Sequence, residues 1–204
     1  KSSTYTYIIA SGEGREALII DPVIEHSDEY STILKNLDLK LVKVIDTHIH
    51  ADHISALNEL NKRTNCIRVM GEKSKSEVID LRIKDGEKIN VEEVELKAIY
   101  TPGHTDCSYS FLMNDRVFTG DTLLINGSGR TDFQNGNAYD AYDSIFNKLL
   151  KLPEKTFVFP AHDYNGKKFS TIENEKNNNP RLQVSSKEEY ADIMNNLNLA
   201  NPKM

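Results

Sequence analysis

Two hydrophobic periods alternate along the chain, and together they predict a mixed α/β structure. Short apolar or period-two runs bounded by turn residues predict strands, at residues 5–10, 17–22, 39–45, 67–70, 81–83, 88–91, 94–100, 108–113, 116–119 and 156–160. Apolar residues spaced three or four apart predict helices, at residues 27–37, 52–61, 138–152, 171–175 and 187–196. Residues 126–136 are rich in glycine and turn-forming residues, which predicts an irregular loop. We therefore expect a single domain over residues 1–204, with the polar helices from about residue 171 packed on it.

Metal-ligand chemistry is concentrated directly after the third predicted strand. Residues 47–53 are Thr-His-Ile-His-Ala-Asp-His, which brings His48, His50, Asp52 and His53 into one short segment. In an extended segment the side chains of His48 and His50 point to the same face. Imidazole rings are expensive to bury unless their nitrogens find hydrogen-bond partners or a metal ion. This cluster therefore predicts a metal site.

Three further ligand-type residues also follow predicted strands. His104 comes after the run at residues 94–100, Asp121 after the second strand of a predicted hairpin, and His162 after the last predicted strand. Four strand ends therefore offer side chains suited to metal binding or to acid–base chemistry.

Composition narrows the range of partners. The 204 residues carry a net charge of −6, which argues against a nucleic-acid backbone as the partner. No apolar run reaches the roughly 18 residues of a membrane span, and the first residues lack an apolar signal core. Cys66 and Cys107 are too far apart in sequence to indicate a disulfide framework. We expect a soluble intracellular protein that acts on a small molecule.

The ordered set of seven candidate residues resembles the metallo-β-lactamase superfamily, with its HxHxDH motif, distant His, distant Asp and final His. That resemblance implies an αβ/βα sandwich, in which two mixed sheets lie back to back with helices outside. Within the superfamily, Gly-Arg-Thr-Asp-Phe-Gln at residues 129–134 and Pro-Ala-His-Asp-Tyr at residues 160–164 resemble the persulfide dioxygenases. These enzymes are also called sulfur dioxygenases or the ethylmalonic encephalopathy protein family. Further segments that resemble this family are residues 21–23, 47–53, 102–105, 119–121, 179–182 and 193–199.

The resemblance implies one Fe(II) per chain and a reaction in which O₂ and water convert glutathione persulfide to sulfite and glutathione. The implied ligands are His48, His104 and Asp121. The implied catalytic residues, retained around the iron without binding it, are His50, Asp52, His53 and His162. Two imidazoles and one carboxylate leave three coordination positions open, which is the arrangement that non-haem iron oxygenases use for substrate and O₂. The resemblance also suggests a homodimer, located in the cytoplasm of a bacterium or in the mitochondrial matrix of a eukaryote.

Arg130 has two interpretations. As a substrate-binding residue it would pair with a carboxylate of glutathione. As a structural residue it would form an ion pair with Asp132 or Asp163 that shapes the loop, and we favour this second interpretation.

Two alternative functions remain open. A glyoxalase II-like thioester hydrolase acting on S-lactoylglutathione would use all seven residues for two metal ions, either two zinc ions or a mixed zinc and iron pair. In that case Asp121 would bridge the two ions, and His50 would be a ligand of the first ion. Asp52, His53 and His162 would bind the second ion. The loop at residues 129–134 favours the dioxygenase. A more remote alternative is a metal or persulfide carrier without enzymatic activity.

Overall fold

The computed structural model describes residues 3–163 and 165–197, in which two β-sheets carry most of the chain. The strands of the first sheet, in their hydrogen-bonded order, are β1 (Tyr7–Ala10), β2 (Glu16–Ile20), β3 (Lys40–Ile45), β4 (Ile67–Gly71) and β5 (Leu81–Ile83). Strand β1 is antiparallel to β2, and the other neighbours are parallel, so β2, β3, β4 and β5 end at the same edge.

The second sheet comes mostly from the later half of the chain. The remaining strands are β6 (Lys88–Val91), β7 (Val94–Tyr100), β8 (Tyr109–Leu112), β9 (Arg116–Gly120), β10 (Leu123–Leu124), β11 (Gly127–Ser128), β12 (Phe157–Pro160) and β13 (Ser170–Thr171). The second sheet has the order β13-β12-β9-β8-β7-β6, while β10 and β11 form a separate two-stranded ribbon. The pair β9 and β12 is parallel, and the other neighbours are antiparallel.

Helices cover the outer face of each sheet. They are α1 (Ser27–Asn36), α2 (Leu57–Thr64), α3 (Ala138–Asn147), α4 (Ile172–Asn178) and α5 (Lys187–Asn195). Strand β2 shows how alternation builds the layers, because Leu18 packs into the core between the sheets and Ile19 packs under α1 and α2. On the opposite side, Ile145 of α3 and Tyr190 of α5 share a third apolar cluster with the second sheet. The expected sandwich of two mixed sheets flanked by helices is therefore confirmed.

The predicted helix at residues 52–61 begins later than the pattern indicated. Residues 51–53 form bends, and α2 begins at Leu57. The backbone of residues 54–56 is instead paired with the segment after β2, where Ile54 O accepts from Ile24 N at 2.9 Å and Ala56 N donates to Pro22 O at 2.8 Å. These long-range hydrogen bonds hold the metal-ligand segment in an irregular turn rather than in a helix.

The predicted irregular loop at residues 126–136 is also partly wrong, because its start belongs to the ribbon formed by β10 and β11. Tyr164, Asn198 and Leu199, which belong to segments that resemble the persulfide dioxygenases, lie outside the described residues. In the part of the chain that the structure describes, no helix combines the length and the apolar character needed to cross a membrane.

Gly71 at the end of β4 is required by close packing between the sheets. A Cβ at this position would lie 2.1 Å from ring atoms of the buried Tyr109. We expect Gly71→Ala to lower the free energy of unfolding by about 1–3 kcal/mol, because the ring cannot move without displacing the core. Gly12→Ala is the matched control, since its Cβ would meet nothing closer than 3.8 Å. Thermal or denaturant unfolding measures both, and equal effects of the two substitutions would contradict this account.

Candidate metal centre

Strand ends from both sheets bring the candidate residues together. His48 follows β3, His104 follows β7, Asp121 directly follows β9, and His162 follows β12. Because β9 and β12 are parallel, with Gly120 paired to Pro160, the residues after them continue side by side. The donors that the sequence placed after four separate strands therefore meet at one edge of the sandwich.

The first cluster consists of His48, His104 and Asp121. Their potential ligand atoms all lie within 4.8 Å of one another. His104 Nε2 is 3.6 Å from Asp121 Oδ2, and the rings of His48 and His104 are nearly perpendicular, with centroids 4.9 Å apart. Two imidazoles and one carboxylate in this arrangement form a donor set that suits a divalent transition metal.

A hydrogen-bond relay fixes the orientation of His48. Thr47 Oγ1 donates its proton to Asp21 Oδ2 at 3.0 Å, so it can only accept from His48 Nδ1 at 2.9 Å. His48 Nδ1 therefore carries the ring proton, and Nε2 keeps its lone pair for a metal ion.

His104 is oriented by a backbone carbonyl. Its Nδ1 lies 2.8 Å from Arg130 O, and since a carbonyl only accepts, Nδ1 carries the proton and Nε2 is left as the ligand atom. The loop can approach this closely only at a glycine. A Cβ on Gly129 would lie 2.1 Å from Asp121 O and 2.9 Å from His104 Nδ1. Gly120 likewise has φ +53° and passes close to the side chain of Thr47.

The protonation states in the first cluster fit a cation. Burial and the neighbouring His50 and His104 hold the pKa of His48 well below its ordinary value, so its ring is neutral. Burial alone would raise the pKa of Asp121, but His162, His104 and His48 together hold it well below the ordinary range. Metal binding requires a neutral imidazole and an ionised carboxylate, and the pKa shifts of His48 and Asp121 favour these two forms.

His162 contacts the carboxylate of Asp121 and fixes its orientation. Its Nδ1 lies 2.7 Å from Asp121 Oδ1, which fixes the carboxylate so that Oδ2 faces His104. Its Nε2 lies 3.1 Å from Asp52 Oδ2. Burial alone would lower the pKa of His162, but the carboxylates of Asp121 and Asp52 raise it to about 11.

His50 makes its contacts on the other side of the motif. Its Nε2 lies 3.2 Å from Asp21 Oδ1. Burial alone would lower the pKa of His50, but Asp21 and Asp46 raise it to about 9. Asp46 is itself fully buried, and burial raises its pKa to about 7. His50 Nε2 therefore faces a carboxylate, and His50 Nδ1 is the ring nitrogen left for another partner.

Two buried ring nitrogens, His50 Nδ1 and His53 Nε2, have no hydrogen-bond partner within the described residues. A buried polar atom without a partner costs on the order of 1–3 kcal/mol. His50 and His53 also form a second cluster with Asp52, whose potential ligand atoms lie within 4.8 Å of one another. This part of the centre is therefore able to accept a water molecule, a substrate group or a cation.

Arg130 forms the ion pair that the structural interpretation expects with Asp132. Its Nε and Nη2 lie 2.7 and 2.8 Å from the two carboxylate oxygens of Asp132. The guanidinium also lies 5.8 Å from the centroid of the Phe133 ring. These contacts shape the loop whose carbonyl orients His104. They leave the substrate-binding interpretation of Arg130 a prediction.

Sequence reasoning assigned no role to three residues that shape the centre. Asp21 and Thr47 belong to segments that resemble the persulfide dioxygenases, yet no local pattern showed that they orient His48. Thr4 was missed entirely. Its hydroxyl contacts Asp52, His53 and His162, which are far away along the chain.

A shallow pocket opens beside the first cluster. Two of its residues, Ile49 and Thr105, are the sequence neighbours of His48 and His104. Its full lining is Ile49, Lys75, Thr105, Asp106, Cys107, Gln134 and Asn135. Gln134 Nε2 donates to Ile49 O at 2.9 Å, so the loop after Arg130 is tied to the metal-ligand segment across this pocket.

Comparisons with known proteins agree on fold and family. A model of the metallo-beta-lactamase superfamily matches residues 1–79 and 70–162. Persulfide dioxygenase ETHE1, mitochondrial, from Mus musculus is 43% identical over 206 residues, which cover 100% of this chain and 80% of that protein. The crystal structure of ETHE1 from Myxococcus xanthus superposes with a TM-score of 0.96 at 46% identity, covering 98% of this chain and 89% of that one. A hydroxyacylglutathione hydrolase from Dictyostelium discoideum is 29% identical, over 85% of this chain and 68% of that protein.

The first cluster predicts which substitution weakens metal binding. We expect His104→Ala to reduce the affinity for a divalent metal roughly tenfold or more, because it removes one of three ligand atoms. His26→Ala is the matched control, since His26 is a partly exposed histidine paired with Glu29 outside the centre. Elemental analysis after dialysis measures the bound metal. Full retention of the metal by His104→Ala would contradict the assignment of this cluster.

Proposed function

Since the chain belongs to the persulfide dioxygenase family of the metallo-beta-lactamase superfamily, we propose that it oxidises glutathione persulfide to sulfite and glutathione at a single Fe(II). The reaction consumes one O₂ and one water for each persulfide and releases two protons with the sulfite. Family membership supports the persulfide dioxygenase activity. The choice of iron, its stoichiometry and glutathione as the thiol carrier are our proposals.

The cluster of His48, His104 and Asp121 is the observation that carries the proposal. We assign these three residues as the iron ligands, because their donor atoms converge and the pKa shifts of His48 and Asp121 favour the forms that bind a cation. The two imidazoles and the carboxylate would hold the iron, which would supply the redox chemistry that reaction of a persulfide with O₂ requires.

We propose that the other four candidate residues position the ligands and the reacting groups through hydrogen bonds. They are His50, Asp52, His53 and His162. His162 holds Asp121 in place through the contact of Nδ1 with Oδ1. Asp52 in turn holds His162 from the other ring nitrogen. His50 and His53 present the buried nitrogens that have no partner within the described residues, and these are placed to hydrogen-bond the reacting groups.

The pocket beside the cluster suits the glutathione part of the substrate. It adjoins both proposed histidine ligands in sequence, and Lys75 supplies a cation for a glutathione carboxylate. The loop that carries Lys75 is held by Arg82, whose guanidinium donates to the carbonyls of Ser74 and Ser76, each at 2.5 Å. We therefore place the thiol carrier here and the persulfide sulfur toward His48 and His104.

A glyoxalase II-like hydrolase is the second candidate function, and the unpartnered nitrogens of His50 and His53 favour it. A two-metal enzyme would use both of these residues as ligands. Against it stands the lower identity to the hydroxyacylglutathione hydrolase, 29% compared with 43% to the persulfide dioxygenase. A homodimer, and a location in the bacterial cytoplasm or the mitochondrial matrix, remain predictions.

Oxygen consumption by the iron-loaded protein tests the proposed function. Protein reconstituted anaerobically with Fe(II) is given glutathione persulfide in an oxygen electrode, and sulfite and iron are measured on the same sample. We expect oxygen uptake, sulfite formation and one iron per chain. Absence of uptake combined with hydrolysis of S-lactoylglutathione and two metal ions per chain would establish the hydrolase instead.

Arg130→Ala separates the two interpretations of this residue. The Arg130 side chain shapes the loop whose carbonyl orients His104. We therefore expect the affinity for iron to fall roughly tenfold and kcat to fall, with little change in KM. Arg116→Ala is the matched control, since Arg116 pairs with Asp115 at 2.7 and 2.8 Å and lies 5.7 Å from the Phe159 ring centroid. A raised KM for glutathione persulfide, with iron content and Tm unchanged, would show instead that Arg130 binds substrate.

A further inference from the structure

The hydroxyl of Thr4 lies among three of the seven candidate residues. Thr4 Oγ1 is 3.2 Å from Asp52 Oδ2, 3.2 Å from His53 Nδ1 and 3.1 Å from His162 Nε2. In the two-metal alternative, these same three residues would bind the second ion. The Thr4 hydroxyl therefore occupies space that this second ion would need.

The hydrogen-bonding capacity of a hydroxyl matches these partners. A threonine hydroxyl has one proton to donate and two lone pairs that accept. Thr4 Oγ1 donates to Asp52 Oδ2, and its lone pairs face the ring nitrogens of His53 and His162. Thr4 Oγ1 therefore occupies the space between Asp52 Oδ2 and His162 Nε2, while its contact with His53 Nδ1 leaves His53 Nε2 without a partner within the described residues.

The backbone holds Thr4 firmly at this position. Thr4 forms an antiparallel bridge with His162, and Tyr5 N donates to Ala161 O at 2.7 Å. Thr6 Oγ1 donates to Asp21 O at 2.8 Å on the opposite side of the centre. The segment that precedes β1 therefore crosses from the first sheet to the end of β12 and delivers one hydroxyl to the metal-ligand residues.

We propose that Thr4 is a specificity-determining residue, whose hydroxyl keeps Asp52 and His162 from joining His53 in binding a second divalent metal ion. This inference rests on the proposed function, in which one ion bound by His48 and its partners is sufficient. Zinc and similar ions bind nitrogen and oxygen ligands at about 2.0–2.2 Å, and their usual protein ligands are Cys, His, Asp and Glu. An entering ion would have to displace the hydroxyl and the hydrogen bonds that it makes.

Metal stoichiometry of Thr4 variants tests this proposal without relying on activity. The metal-free protein is equilibrated with excess Zn²⁺, free metal is removed, and zinc and protein are measured on the same sample. Thr4→Ala removes the hydroxyl, and Thr4→Ser retains it. Thr6→Ala is the matched control, because it removes a threonine hydroxyl from the same segment without touching Asp52, His53 or His162. Circular dichroism and Tm establish that each variant is folded.

We expect one zinc ion per chain in the wild type, Thr4→Ser and Thr6→Ala, and about two in Thr4→Ala. The double variant Thr4→Ala/Asp52→Asn should return to one ion, because the second ion needs the Asp52 carboxylate. The double variant also shows that a second ion in Thr4→Ala binds at this site, since both proteins lack the hydroxyl and only one keeps the carboxylate.

Each other outcome overturns a defined part of the account. One ion in both the wild type and Thr4→Ala leaves the single-metal premise intact and refutes the role of Thr4. Two ions in the wild type and one in Thr4→Ala would make the hydroxyl a ligand, which refutes the inference and the single-metal premise together. Two ions in both proteins would refute the premise and show that Thr4 has no effect.

Discussion

A buried carboxylate at the end of β2 sets the geometry of the whole centre. Asp21 is 1% exposed, and it accepts from Thr47 N at 2.7 Å and from Thr47 Oγ1 at 3.0 Å while His50 Nε2 lies 3.2 Å away. A buried charge costs several kcal/mol unless its oxygens are paired, so the segment after β3 must bend until its donors reach them. That bend orients His48 through Thr47 and holds His50 at the carboxylate.

The same seven residues can serve two chemistries, and their hydrogen-bond partners support the single-metal centre that we propose. A two-metal hydrolase needs all seven as free ligands. Here both ring nitrogens of His162 face carboxylates, Nδ1 facing Asp121 and Nε2 facing Asp52, and Asp52 also accepts from the hydroxyl of Thr4. His48 and His104 combine a ring proton fixed by a polar neighbour with a potential ligand atom within 4.8 Å of the carboxylate of Asp121. The identity of the residues therefore predicts a metal centre, while their partners favour one metal ion over two.

Local patterns predicted the sheets and the strand ends, because the alternation of apolar and polar side chains along a strand can be recognised within a few neighbouring residues. Helix α2 begins later than predicted, since hydrogen bonds from residues 54–56 to the segment after β2 override the helical period. The role of Asp21 depends on the parallel register of β2 and β3, which no local period encodes. Thr4 reaches His162 across 158 positions of sequence, and a lone threonine carries no pattern that could reveal such a contact.

Anomalous X-ray diffraction from crystals of the metal-loaded protein tests the central claim most directly. Data collected on either side of the iron absorption edge, and then of the zinc edge, locate each ion and identify its element. We predict one iron peak per chain, bound by His48 Nε2, His104 Nε2 and Asp121, with no peak among Asp52, His53 and His162. Two peaks bridged by Asp121 would contradict the single-metal centre and support the hydrolase.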